Sequence, residues 1–175
     1  SSLPDQELSR LAAVNQLSRP EVLKQQVKRM LEDPRSEALS TEFLGQWLGV
    51  RQFENFNGVD RKRFPSFTAT LRKSMYQEPV RYFRDMVKHN GSLVSLIGGR
   101  HAIVNRALAE HYGLPVPDGM SEAAWFRVER ADQQGRGGLL PMGVFLTSNS
   151  SGLRTSPVRR GYWVVHRLLG EHIPP

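Results

Sequence analysis

The residues with the most distinctive chemistry are those at positions 154–161, in the order Arg-Thr-Ser-Pro-Val-Arg-Arg-Gly. Arginine side chains bind carboxylates and phosphates through paired hydrogen bonds, and the positive end of a helix dipole adds to that attraction. The segment therefore predicts a site for an anionic ligand or an acidic partner loop, formed by Arg154, Thr155, Ser156, Arg159 and Arg160. The alternative is structural, because the same residues can cap the last helix and form ion pairs with acidic residues elsewhere.

A second candidate is the sequence Gly-Arg-Gly-Gly at residues 135–138, which precedes a predicted helix. Glycines at such a position let backbone amides approach an anion, and Arg136 would add a positive charge. The spacing matches neither the phosphate-binding loop nor the dinucleotide fingerprint. A tight turn packed against the next helix explains the same residues.

Catalytic and metal-binding patterns are not found in the sequence. The chain has no cysteine, which excludes disulfides, thiolate metal sites and covalent haem attachment within these residues. No pair of its five histidines has the spacing of a helical zinc site, and His166 and His172 are separated by a glycine. His111 lies on an apolar helix face, where a buried, hydrogen-bonded histidine is the simpler interpretation. We expect no metal site.

The chain is basic, with 24 Lys and Arg against 17 Asp and Glu, a net charge of +7. Such a charge favours nucleic acid, anionic polysaccharide, lipid headgroups or an acidic protein, although dispersed charges also suit a solvated surface. No nucleic-acid motif occurs, so nucleic acid is the least favoured of these partners. No run of 18 apolar residues exists, so we expect no membrane span.

The elements that must position these residues are mainly helices. Apolar residues recur at helical spacing from residue 8 to 12, 23 to 31, 38 to 48, 67 to 87, 103 to 111, 139 to 147 and 158 to 169. Ser18 with Glu21, and Asp33 with Pro34, are predicted helix starts, while Pro79 predicts a kink or a break. Alternation near residues 124–130 is a weak strand signal.

We therefore expect a mainly α fold, an irregular multi-helix bundle with at most a small β element near residues 124–130. The expected domains are a helical domain at 1–130 and a second helical segment at 131–175 that packs on it. The last residues, Ile-Pro-Pro, read as the start of a proline linker.

The sequence also resembles two adjacent domains of unknown function found in large planctomycete cytochrome-associated proteins. The resemblance to the first domain is carried by residues 3–8, 29–35, 43–48, 64–67 and 105–113. That to the second is carried by residues 136–140, 146–149 and 154–164. The chain differs from the family at residues 98–101, where an acidic and aromatic segment is common, and at Pro79.

The resemblance implies an exported, periplasmic protein associated with electron transfer, with c-type haem in adjacent parts of a larger chain. It supplies no catalytic residues. The leading hypothesis is a non-catalytic scaffold or docking module whose arginines face a haem propionate, an adjacent haem-bearing domain or an acidic partner. The alternatives are a carbohydrate-active enzyme domain, with carboxylates or His111 in a cleft, and a module that binds anionic polymers.

Overall fold

The computed structural model describes residues 3–150 and 152–173. The helices are α1 (Gln6–Ala13), α2 (Pro20–Glu32), α3 (Glu37–Trp47), α4 (Ala69–Lys88), α5 (Ser95–Gly98), α6 (Arg106–Tyr112), α7 (Gly143–Ser148) and α8 (Pro157–Trp163). Short 3-10 turns cover Pro34–Ser36, Phe53–Asn55 and Ala131–Gln134, and a π-helical turn, Val164–Leu168, follows α8. The mainly α prediction is confirmed. No helix in the described ranges combines the length and the apolar character needed to cross a bilayer.

A two-stranded sheet interrupts the helices. Strands β1 (Ala102–Asn105) and β2 (Trp125–Val128) are antiparallel, with Ala102 opposite Val128. The small β element predicted near 124–130 is thus confirmed, but its partner strand was predicted as helix. That prediction was wrong because β-branched Ile103 and Val104 favour a strand, and the Asn105 side chain then caps α6.

The chain divides into two compact units, residues 1–39 and 40–175. In the first unit, Asp5 caps α1 by accepting from the Leu8 amide, and it also pairs with Arg29 at 2.7 Å. The predicted capping box at Ser18 does not form; Arg19 precedes α2 and Ser18 donates to Asn15 instead. The contribution predicted from Ser2 lies outside the described residues.

Helix α2 does not bury its apolar stripe. Leu23, Val27, Met30 and Leu31 are 38–50% exposed, and none of the residues of α2 is buried. The predicted burial of this stripe is therefore wrong. Asp33 does cap the following turn, as predicted, by accepting from the Arg35 amide.

The core of the second unit is built along α4. This helix runs unbroken for 20 residues through Pro79, so the predicted break does not occur. It begins after Thr68, which accepts from the Leu71 amide, rather than after the predicted cap Ser66. Buried side chains of α4 pack with those of α6, β1 and α7 in one cluster.

Residues on both sides of position 130 contribute to that cluster. Val104 and Leu108 lie in it together with Leu139, Val144 and Trp163. The predicted domain boundary between residues 130 and 131 stays a prediction. The predicted linker at 174–175 lies outside the described residues. Helix α8 buries Trp163. Helical spacing predicts that Val158 and Tyr162 face the core, and this prediction is wrong, because they are 81% and 53% exposed.

Candidate functional site

Two neighbouring clefts in the second unit contain most of the predicted anion-binding residues. The Arg136 cleft has a volume of about 550 Å³ and is lined by Gln134, Gly135, Arg136, Leu140, Pro141, Phe145, Leu146, Arg160, Gly161 and Val164. The Arg154 cleft has a volume of about 290 Å³ and includes Phe64, Phe67, Met75, His111, Arg154, Thr155 and Arg160 in its lining. Arg160 lines both, and neither lining includes Asp or Glu.

Arg160 is positioned by the start of α8. Ser156 caps the helix through its Oγ, which accepts from the Arg159 amide at 3.3 Å, and Pro157 fits the first turn. Arg160 Nη2 lies 3.5 Å from Ser150 Oγ. Its Nε is buried and has no hydrogen-bond partner among the described residues. A buried donor without an acceptor is costly. The Arg160 side chain nevertheless contributes to the lining of both clefts, where an anion can approach it.

Arg136 is held by the turn that contains it. Added Cβ atoms at Gly137 and Gly138 would lie 2.5 Å from Gly99 O and 2.3 Å from Ile97 O, and both residues have positive φ. Residues 135–138 thus form a tight turn, but Gly137 and Gly138 lie against the backbone of residues 96–100 rather than against the predicted next helix. The Arg136 guanidinium lies 4.0 Å from the centre of the Tyr112 ring and donates to Pro141 O at 2.6 Å.

The remaining predicted residues have different positions. Arg154 and Thr155 are exposed on the rim of the Arg154 cleft. Arg159 lines neither cleft and donates to Ser150 O at 3.4 Å. The Ser156 hydroxyl is occupied by capping, so its predicted structural role is present. The predicted anion-binding role of these residues stays a prediction.

His111 is an exposed residue of α6 that lines the Arg154 cleft, contrary to the expected buried position. Partial desolvation of its ring, and the charge of Arg136, lower the pKa of His111. Its imidazole is therefore mainly neutral at neutral pH.

A buried polar cluster behind the Arg136 cleft was missed by the sequence analysis. Glu78 on α4 is 2% exposed, and its Oε2 accepts from Tyr112 Oη at 2.6 Å. Tyr112 Oη in turn accepts from the Gly143 amide at 2.6 Å. We call Glu78, Tyr112, Gly143 and Arg136 the buried cluster. One signal for it existed: Glu78 follows Leu71 and Met75 on the apolar stripe of α4.

Burial raises the pKa of Glu78 to about 8, while the hydrogen bond from Tyr112 and the charge of Arg136 act in the opposite direction. Burial also raises the pKa of Tyr112 well above 10, and the neighbouring Glu78 adds to this effect. At neutral pH the pair is therefore a carboxylic acid and a phenol, which a core can hold without an unpaired charge.

A second polar cluster lies on the surface around Asp85, also on α4. Asp85 pairs with Arg127 at 2.8 Å and with His89 at 3.2 Å, and His101 stacks on Tyr82 beside it.

Although a glycine separates His166 from His172 in the sequence, the centres of their rings lie 5.2 Å apart. Within residues 3–150 and 152–173, no three acidic or histidine side chains are grouped to hold a metal ion.

Two family models match the chain. A family model described as PSD4, a protein of unknown function (DUF1592), matches residues 1–114. A second, described as PSCyt3, a protein of unknown function (DUF1588), matches residues 136–175. Glu78 and Tyr112 thus lie in the first match, and Arg136 and Gly143 in the second.

No significant match exists among curated proteins or among solved structures. The names of the two family models are consistent with cytochrome-associated proteins, as the sequence resemblance implied. Since the first model covers more than half of the residues, the chain belongs to the DUF1592 family. Residues 136–175 match the DUF1588 model, and residues 115–135 lie between the two matches.

Proposed function

We propose that the chain is a non-catalytic docking module of a periplasmic, c-type-cytochrome-associated redox protein. The haem would be held outside these residues, on an adjacent domain or a partner. The clefts around Arg160 would receive a carboxylate, either a haem propionate or an acidic loop.

The observation that carries this proposal is the position of Arg160. It lines both clefts, with Arg136 on one side and Arg154 on the other, and its buried Nε lacks a hydrogen-bond partner among the described residues. A ligand carboxylate in either cleft would accept from the Arg160 guanidinium, and hydrogen bonds to a charged group contribute about 1.5–3 kcal/mol. The net charge of +7 favours the approach of an acidic partner.

The alternative of a carbohydrate-active enzyme finds no support in these two clefts. Catalysis of glycoside hydrolysis typically requires two carboxyl groups facing the substrate. Neither cleft is lined by Asp or Glu, and the buried Glu78 is enclosed in the core.

The proposal is tested with two probes, a hexaglutamate peptide and a soluble c-type cytochrome of net negative charge. Binding is measured by calorimetry at low and at physiological salt. We expect the double variant Arg136→Gln/Arg160→Gln to weaken binding of both probes by at least about tenfold. The matched control, Lys24→Gln/Lys28→Gln, removes the same two positive charges from exposed positions that line neither cleft.

Equal weakening by the two double variants would contradict docking in the clefts and would favour non-specific binding of anionic polymers. A stable coloured complex between the isolated chain and free haem would contradict the assignment of haem to another part of the protein.

A further inference from the structure

The buried cluster connects the Arg136 cleft to an ionisable group in the core. Arg136 lines the cleft and lies 4.0 Å from the Tyr112 ring centre. On the far side, Tyr112 Oη donates to Glu78 Oε2 at 2.6 Å. A charge that enters the cleft and a charge that forms on Glu78 therefore act on the same arginine.

We propose that the Arg136 cleft binds its anion together with a proton, and that this proton resides on Glu78. The inference rests on the proposed function, since it describes how anion binding at that same cleft is regulated.

The physical reason is competition for one cation. Arg136 is the charged group that favours the ionised form of Glu78, against a larger opposing effect of burial. An anion bound to Arg136 offsets that positive charge and adds a negative one, so the carboxyl gives up its proton less readily. By linkage, protonated Glu78 must then favour anion binding to the same extent. Affinity should fall as the pH rises through the pKa of Glu78, about 8.

Other titratable groups near the buried cluster do not explain a fall in anion affinity between about pH 7 and pH 9. Tyr112, on α6, has a pKa well above 10, and His111, also on α6, has a lowered pKa. Both therefore keep one neutral form between about pH 7 and 9. Arginine stays charged throughout this range. From α7 the cluster receives only the Gly143 amide.

Charged groups on the other elements packed against α4 face other residues of that helix. His101, before β1, lies 3.9 Å from Asp85, and Glu54, in the turn Phe53–Asn55, acts on Tyr76. Glu78 is thus the group of the buried cluster that titrates in this window.

The test uses N-acetylated hexaglutamate, whose carboxylates are fully ionised above pH 7 and which has no α-amino group to titrate. Its affinity is measured by calorimetry at about pH 7 and about pH 9, at constant ionic strength, for the wild-type chain and for Glu78→Gln. We expect the wild-type chain to bind roughly fivefold more weakly at the higher pH. Glu78→Gln keeps the acceptor for Tyr112 but cannot titrate, so its affinity should be the same at both pH values.

A direct measurement on the wild-type chain avoids the risk that Glu78→Gln folds poorly. The carboxyl carbon of Glu78 is titrated by NMR with and without saturating hexaglutamate. With a pKa of about 8 in the free chain, a fivefold change in affinity between pH 7 and pH 9 corresponds to an upward pKa shift of about 1 unit when the peptide is bound.

The outcomes separate the two proposals. Binding that is sensitive to Arg136→Gln/Arg160→Gln, together with an unchanged Glu78 midpoint, would overturn the proton linkage and leave the docking function intact. An equal pH dependence of binding in the wild-type chain and in Glu78→Gln would likewise overturn the proton linkage and leave the docking function intact. No binding of either probe at any pH would overturn the docking function and the linkage with it.

Discussion

Helix α4 carries two acidic residues seven positions apart, and their surroundings are opposite in kind. Asp85 lies at the surface, where Arg127, His89 and His101 approach its carboxylate. Glu78 is 2% exposed, and its carboxyl group accepts a hydrogen bond from the Tyr112 hydroxyl. That hydroxyl in turn accepts a hydrogen bond from the Gly143 amide. The surface site stabilises a charge with other charges and water, whereas the buried site favours the neutral acid. Two carboxyl groups on one helix therefore have different surroundings because of what packs over them.

The pH dependence of stability gives the largest expected difference between the two sites. Glu78 has a raised pKa in the folded chain, about 8 against an ordinary value of 4.5. The unfolded chain therefore loses this proton first as the pH rises. Its contribution is full below about pH 4.5 and is lost progressively up to about pH 8, at roughly 1.4 kcal/mol per pH unit. Urea denaturation between those pH values should show this decline, and Glu78→Gln should flatten it. Asp85→Asn should leave this decline in unfolding free energy unchanged. If Asp85→Asn removed the decline and Glu78→Gln did not, the pH dependence would belong to Asp85 and not to Glu78.

Truncating the two carboxyl groups gives the next largest contrast. Glu78→Ala leaves the Tyr112 hydroxyl without its acceptor and opens a cavity in the core, so we expect a loss of about 3 kcal/mol in unfolding free energy. Asp85→Ala breaks partly exposed ion pairs and should cost less than about 1 kcal/mol. Chemical denaturation at pH 6 measures both. Equal losses would mean that Glu78 is not part of a packed polar cluster.

Two glycines sharpen the comparison by adding only a methyl group. An added Cβ at Gly143 would lie 2.8 Å from Tyr112 Oη and 2.9 Å from Met75 Cε, so Gly143→Ala must displace the buried cluster. We expect a loss of about 2 kcal/mol and a change in the pH dependence assigned to Glu78. A tolerated alanine with an unaltered pH profile would show that the cluster is loosely packed.

The matched control is Gly161→Ala in α8, where an added Cβ meets no atom within 4 Å. An alanine in a helix loses less conformational entropy than a glycine, so this variant should gain about 0.5 kcal/mol. Thermal denaturation compares the two variants, and a destabilising Gly161→Ala would contradict the helical geometry at that position.

The same contrast explains what the sequence could and could not predict. Helical periodicity was sufficient for the mainly α fold and for the apolar face of α4, because side-chain spacing reports directly on which face is buried. It failed for α2, whose stripe of Leu23, Val27 and Met30 remains half-exposed. Periodicity indicates a face that can be buried, but not whether another element covers it.

The candidate site shows a similar limit. The arginines of residues 154–160 and Arg136 were recognised from residue type, yet tertiary packing decides which cleft each of them lines. Arg136 lines one cleft, Arg154 the other and Arg160 both, whereas Arg159 lines neither. Glu78 was missed because a lone glutamate on a helix normally faces water, although its place after Leu71 and Met75 on the apolar stripe was a signal of burial. Tyr112 follows its partner Glu78 by 34 residues, and Gly143 follows Tyr112 by 31 residues. Over such separations, spacing in the sequence gives no information about which residues are in contact.

The most direct test of the docking account is an NMR titration of the arginine Nε–H signals with hexaglutamate. The account predicts saturable shifts at Arg160, whose Nε lacks an internal acceptor among the described residues, and at Arg136 beside it. The signal of Arg35, whose Nε already donates to Asp33 at 2.9 Å, should not move. Shifts spread evenly over all arginines, or the absence of a response at Arg160, would contradict it.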